Sequence, residues 1–158
     1  MPVDLDEQVM KPGKVSRQVV ADRLQWINRM LAVIRDLPVN DREAFFSDTR
    51  NSMTAESGLR RALEALFDLG RHILAKGFGF GVSEYKEIAI RLRELKVISD
   101  EDARLLIILA GYWNRLVHFY HEVDPKELYD ICANRLTDIE KIALAYQKWI
   151  GQHVDNLE

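Results

Sequence analysis

Disulfides, membrane spans and a strong charge of one sign are all missing from this chain. Its 158 residues hold one cysteine, Cys132. A single thiol makes neither an intrachain disulfide nor a metal site, so a reducing, cytoplasmic compartment is the simplest expectation. The longest apolar run, Leu105 to Ala110, falls far short of the ~20 residues that cross a bilayer, so no membrane partner is expected. The stretch Met1 to Met10 is acidic and lacks an apolar centre, so it does not read as a signal peptide. Net charge is only −3, which excludes a general electrostatic pull on nucleic acid and leaves only local patches for any RNA contact. Sustained period-two alternation, internal repeats and low-complexity tracts are absent too, which argues against sheets, solenoids and disordered modules.

What remains is helical patterning. Residues 1–14 are polar, with two prolines and a glycine, and read as a flexible N-terminal arm. Ser16 opens a helix whose apolar stripe is Val20, Leu24, Ile27, Leu31 and Ile34, spaced by four and three. Leu37-Pro38 ends it, because a residue before proline resists the α region. Val39 to Ser47 connects, with an extra turn at Phe45 and Phe46. A second long helix starts at Asp48 or Asn51 with the stripe Ala55, Leu59, Ala62, Leu66, Leu69 and Ile73, and Gly77-Phe78-Gly79-Phe80-Gly81 stops it. Ser83 to Lys96 is a shorter helix with Tyr85, Ile88, Ala89, Leu92 and Leu95 inward. Ser99 caps a helix from about Asp100 to Glu122 that is apolar nearly all round and so should be central. Asp124-Pro125 begins one last helix, with Leu128, Cys132, Leu136 (or Arg135), Ile139, Ile142, Tyr146 and Trp149 inward. The expectation is all-α: an up-and-down bundle of four long helices plus one short helix over residues 15–152, with a tail at 153–158.

The stretch Trp113-Asn114-Arg115-Leu116-Val117-His118-Phe119-Tyr120 breaks the apolar pattern. Buried polar groups left unpaired cost roughly 1–3 kcal/mol each, so this cluster faces a cleft or is satisfied across an interface. Asn114 and Arg115 precede His118 by four and three residues and so lie within reach of its ring. Tyr120 lies about 200° round the helix and faces another surface. An imidazole with a guanidinium beside it suits proton transfer on a phosphodiester. Alternatively, Asn114, Arg115 and His118 hydrogen-bond inside the bundle with Glu64 and Asp68, a carboxylate pair on one face of the second helix. The glycine-rich loop follows a helix and has no lysine, so it reads as a hinge and not a phosphate cradle. His118 and His121 are three residues apart and lack a third ligand, so neither a metal nor another cofactor is expected. Arg60, Arg61, Arg71, Arg91, Arg93 and Lys96 are candidate walls of a small basic cleft.

The segment Gly111 to Asp124 resembles the HepT-like branch of the HEPN proteins, whose signature is Arg-x-x-x-x-His-x-Tyr. It matches at Asn114, Leu116-Val117-His118, Tyr120 and the following Val123-Asp124, and the likeness extends over roughly residues 16–150. The resemblance implies a homodimer whose motif helices meet at a cleft, and a metal-independent ribonuclease toxin. It implies His118 as acid–base, Arg115 and Asn114 as phosphate contacts, and a small nucleotidyltransferase antitoxin that adenylylates Tyr120. Glu64, Asp68 and Trp113 would support the site. One residue departs from the pattern. Trp113 stands where the motif has arginine, and Arg115 lies about 200° round the helix from it. The alternative expectation is therefore a catalytically weak or inactive homodimer that serves as partner of the transferase.

Overall fold

A computed structural model describes residues 14–118 and 124–153. The expected arm and tail fall almost wholly outside the described residues. Among those residues seven helices occur: α1 (Arg17–Arg35), α2 (Arg42–Phe46), α3 (Thr49–His72), α4 (Tyr85–Glu94), α5 (Asp100–His118), α6 (Pro125–Asn134) and α7 (Leu136–Gln152). The starts follow side-chain caps. Ser16 accepts the Val19 N–H, Asp41 that of Ala44, Asp48 that of Arg50, Ser99 that of Asp102 and Asp124 that of Lys126. Each satisfies a donor that the first helical turn leaves unpaired.

α3 is the hub, packing against every one of the other six helices. The expectation had put α5 at the centre. α5 buries Ala103, Leu106, Leu109, Ala110 and Leu116, but Ile108 is 51% exposed. The difference lies in side-chain size. α3 carries Ala55, Gly58, Ala62, Ala65 and Gly70 among its buried positions, and small residues let several neighbours approach one axis. At Gly58 a Cβ would lie 3.0 Å from Ile34 Cγ1 on α1. The stripe foreseen for α3, from Ala55 to Ile73, is wholly buried.

The chain leaves α3 through a π-helical turn, Ile73–Gly77. Gly79 then takes a left-handed φ of 76°, a conformation glycine adopts at little cost. Phe78 packs on Trp149 with ring centroids 5.6 Å apart, so this loop is tied to α7. α4 ends two residues before its expected limit, because Lys96 adopts φ 60° while the Val97 N–H closes on the Leu92 carbonyl at 2.9 Å. The single last helix expected after Asp124 is two helices. Arg135, at φ −118° and ψ 0°, leaves helical geometry, and asparagine at 134 is a weak helix former whose amide is drawn to Asp130.

Tyr146 is fully buried on α7, and burial raises its phenol pKa further above the ordinary value. Its hydroxyl meets α3 at Gly70, where a Cβ would lie 2.7 Å from Oη and 3.1 Å from Ile88 Cγ2. Gly70→Ala gains up to ~1 kcal/mol of helix propensity, but overpacking costs about 1–3 kcal/mol. The expected outcome is a lower thermal midpoint, and a smaller loss when the same change is made in a Tyr146→Phe background. A thermal melt of the four proteins checks both.

Candidate functional site

The last two turns of α5, the middle of α3 and the first turn of α4 meet on one flank of the bundle. Trp113, half-buried on α5, donates its indole N–H to Glu64 Oε1 on α3 at 3.2 Å. The same oxygen accepts Arg60 Nη1 at 3.1 Å. The indole lies against Tyr85 of α4, 4.4 Å between centroids. Tyr85 stacks in turn on Phe67, 4.2 Å away and 10° from parallel, and Phe67 is fully buried. His118, exposed at the end of α5, sits edge-to-face with Trp113 at 5.8 Å. Asn114 is exposed one turn before it. A cavity of about 150 Å³ is lined by Glu84, Tyr85, Lys86, Ala110, Trp113 and Asn114.

The structure separates residues that the sequence grouped. Glu64 and Asp68 do share a face, but their partners differ. Asp68 lies 3.4 Å from Arg71 and 4.0 Å from Arg23 of α1. The carboxylate pair was expected to meet an arginine or histidine from α5; the α5 residue that reaches Glu64 is Trp113. Arg115 turns instead to Glu127 in the first turn of α6, forming an ion pair, and its guanidinium lies 5.3 Å over the Tyr112 ring. The reason is angular: about 200° separates Arg115 from Trp113 on the helix. Tyr120, the expected modification target, lies outside the described residues.

Magnitudes bear on the Arg115 contact. The Arg115–Glu127 pair is about one-third exposed on both sides, and pairs of that kind contribute ~0–1 kcal/mol. A phosphate could therefore displace Glu127 at little cost. Trp113 is tied to two helices, through its N–H to Glu64 of α3 and through its ring to Tyr85 of α4.

The six basic residues do not form one wall. Arg60 is paired with Glu64, Arg61 bonds Ser57, Arg71 meets Asp68, and Arg91 lies between Glu87 and Glu94. Arg93 and Lys96 line a cavity with Lys148 at the other end of α5, roughly 27 Å from His118 at about 1.5 Å per residue. His72 accepts the Ser16 backbone N–H at 2.9 Å, and His153 stacks on Trp149. Among the described residues no three His, Cys, Asp or Glu side chains converge as a metal site would require. No helix among them is long and apolar enough to cross a membrane.

Sequence reasoning missed Tyr85 and Glu127 as members of this region. Tyr85 reads as one more inward residue of α4, and Glu127 as an acidic first-turn residue complementing the helix dipole. No spacing rule within one helix links either of them to α5. Burial, with Asp68 and Glu64 nearby, pushes the Tyr85 phenol up from 10 to about 12. It stays protonated at physiological pH. Because the folded value lies above the unfolded one, the stability it contributes is complete below pH ~10 and is lost as pH rises towards 12. Cys132, pushed up to about 12 by burial, acts in the same direction. Unfolding free energy measured by urea between pH 9 and 12 should fall, and Tyr85→Phe should flatten part of that fall. An unchanged slope in the variant would contradict the assignment.

The fold agrees with comparisons to known proteins. A family described as "Ribonuclease HepT-like" matches residues 27–145. The chain is 26% identical over 112 residues to a tRNA nuclease HepT of Aphanizomenon flos-aquae, covering 70% of this chain and 76% of that one. A tri-AMPylated HEPN toxin of Shewanella oneidensis, solved in complex with its MNT antitoxin, superposes with TM-score 0.73 at 20% identity, over 82% of this chain and 97% of that one. YutE of Bacillus subtilis, a cytosolic protein of unknown function, superposes with TM-score 0.72 at 17% identity, covering 87% of this chain and 92% of its own. The match spans both the helical bundle and the segment carrying Trp113, Asn114 and His118, and so the chain belongs to the ribonuclease HepT-like family.

Proposed function

We propose that this protein is the toxin half of a toxin–antitoxin pair, a metal-independent RNA endonuclease that works in the cytoplasm as a homodimer. The observation that carries the reading is the exposed His118–Asn114 face at the end of α5, within a chain of this family. His118 takes the proton of the attacking hydroxyl or returns one to the leaving oxygen. Asn114 donates its amide to the phosphate. Arg115, released from Glu127, offsets the charge that builds up in the transition state. Ile108, together with half-buried Leu105, Ile107 and Tyr112, gives α5 an apolar outer face suited to a second copy of the chain. Two such helices side by side would double the imidazole and guanidinium groups at one cleft.

The antitoxin of this proposal is a small nucleotidyltransferase that adenylylates Tyr120. An added phosphodiester and adenosine bring negative charge and bulk two residues along the chain from His118; the charge repels an RNA backbone and the bulk obstructs it. A second reading is favoured by Trp113: a homodimer that cleaves weakly or not at all and serves as the transferase's partner. Tryptophan carries no charge for the transition state, and loss of such a group typically costs a hundredfold or more in rate.

His118→Ala should lower RNA cleavage by about a hundredfold or more and relieve growth arrest on expression. Unchanged cleavage by the purified variant would sink the mechanism. Trp113→Arg separates the two readings. Equal cleavage by both proteins favours a working site built on Arg115, whereas a large gain means the natural chain is weakened at position 113.

A further inference from the structure

The cavity beside Trp113 combines features that acid–base chemistry at His118 does not need. About 150 Å³ in volume, it is lined by Trp113, Tyr85, Asn114, Glu84, Lys86 and Ala110. A space of that order holds one benzene-sized ring. Two aromatic residues grouped with an amide, an acidic and a basic residue suit a nucleobase, which offers a π face and a polar edge.

We propose that Trp113, anchored by Glu64 and backed by Tyr85, is a stacking platform that seats one nucleobase beside His118. This deepens the RNA-directed reading above and rests on it for the identity of the larger ligand. Three observations support it. The indole is fixed before any ligand arrives, by its N–H on Glu64 at 3.2 Å and by Arg60 holding the same carboxylate oxygen. The platform is rooted in the core, since Tyr85 stacks on the buried Phe67 at 4.2 Å. A rigid aromatic surface loses little freedom on binding, so most of its stacking energy goes into affinity. The His118 ring lies 5.8 Å from the indole, close enough for a base on the platform to bring its own ribose and phosphate to the imidazole. In this chain, then, position 113 acts on the substrate through a π face where the motif residue would act through charge. Trp113 is a binding and positioning residue, and Glu64 orients it.

The test uses the full chain carrying His118→Ala, so that the RNA stays intact. Binding of a short labelled single-stranded RNA is compared, by fluorescence anisotropy, with an abasic ribose-phosphate backbone of the same length. The base-bearing strand should bind about tenfold more tightly or better. Trp113→Phe should keep most of that preference, and Trp113→Ala should erase it. In parallel, the Trp113 indole N–H signal of the otherwise unaltered chain, followed by NMR, should move with RNA and stay still with the abasic strand. That measurement needs no change at position 113 and stands even where Trp113→Ala fails to fold. Adenosine and uridine monophosphates identify the source of the base: competition at micromolar levels means a free nucleotide fills the seat, and none means that a base within RNA does. Equal binding of the base-bearing and abasic strands, or a preference that survives Trp113→Ala, overturns the proposal. The two readings fail separately. Base-dependent binding without any cleavage by the natural chain removes the nuclease and leaves the platform. Cleavage with base-independent binding removes the platform and leaves the nuclease.

Discussion

Close approach to α3 is the constraint on which the other elements depend. A helix that touches six others cannot carry a large side chain at every buried position, and α3 answers with alanine and glycine where neighbours cross it. Gly58 lets Ile34 of α1 come against its backbone, and Gly70 does the same for Tyr146 of α7 and for Ile88 and Leu92 of α4. The large residues between them, Leu59, Leu63, Leu66, Phe67 and Leu69, supply the apolar area that stabilises the bundle. Small and large residues alternate around a single axis, so a change in volume at one contact is felt by several helices at once.

The same helix determines where polar chemistry is possible. Arg60, Glu64, Asp68 and Arg71 follow one another at spacings of four and three, so they form a narrow charged strip along one flank of α3. Each carboxylate in that strip has a cation within reach, which limits the field the strip projects. It still supplies a fixed acceptor. Glu64 uses one oxygen for Arg60 and for the indole of Trp113, and thereby joins the core helix to the helix that bears His118. Arg115 has no such tie to α3. Its tie is to Glu127 on α6. Trp113 and Arg115 are thus held by different neighbours, the first by α3 and α4 and the second by α6.

Most of the fold could be read from apolar periodicity and caps. The stripes on α1 and α3 and the starts at Ser16, Ser99 and Asp124 are local features, set by residues within a turn or two of each other. What the sequence hid was long-range or depended on the sum of packing. The break at Arg135 has no proline or glycine to mark it. The centrality of α3 over α5 rests on how small its buried residues are, whereas hydrophobicity alone ranks α5 higher. In the candidate site, Asn114 and His118 stand one turn apart and exposed on α5, as their spacing on one helix implies. Tyr85 and Glu127 were not legible, because each comes from a different helix and each has an adequate local explanation. The alternative that joined Arg115 to Glu64 or Asp68 failed on helix geometry: the residue on the α3 side is 113, and residue 115 faces away from it.

Glu64 also bears on what an arginine at position 113 would do. The carboxylate that now accepts an indole N–H is an equally good acceptor for a guanidinium, and Arg60 already occupies part of it. An arginine placed there would be oriented by Glu64 and partly neutralised by it, and would act on a phosphate only by sharing or leaving that contact. Tryptophan avoids this competition. Its N–H takes the carboxylate, its uncharged ring lies against Tyr85, and the residue lines the small cavity. Glu64 is therefore compatible with either residue, and what the choice at 113 changes is the kind of recognition. A guanidinium addresses the charge of the scissile group. An indole addresses the base beside it, which in the proposed mechanism leaves charge stabilisation to Arg115 and to the second copy.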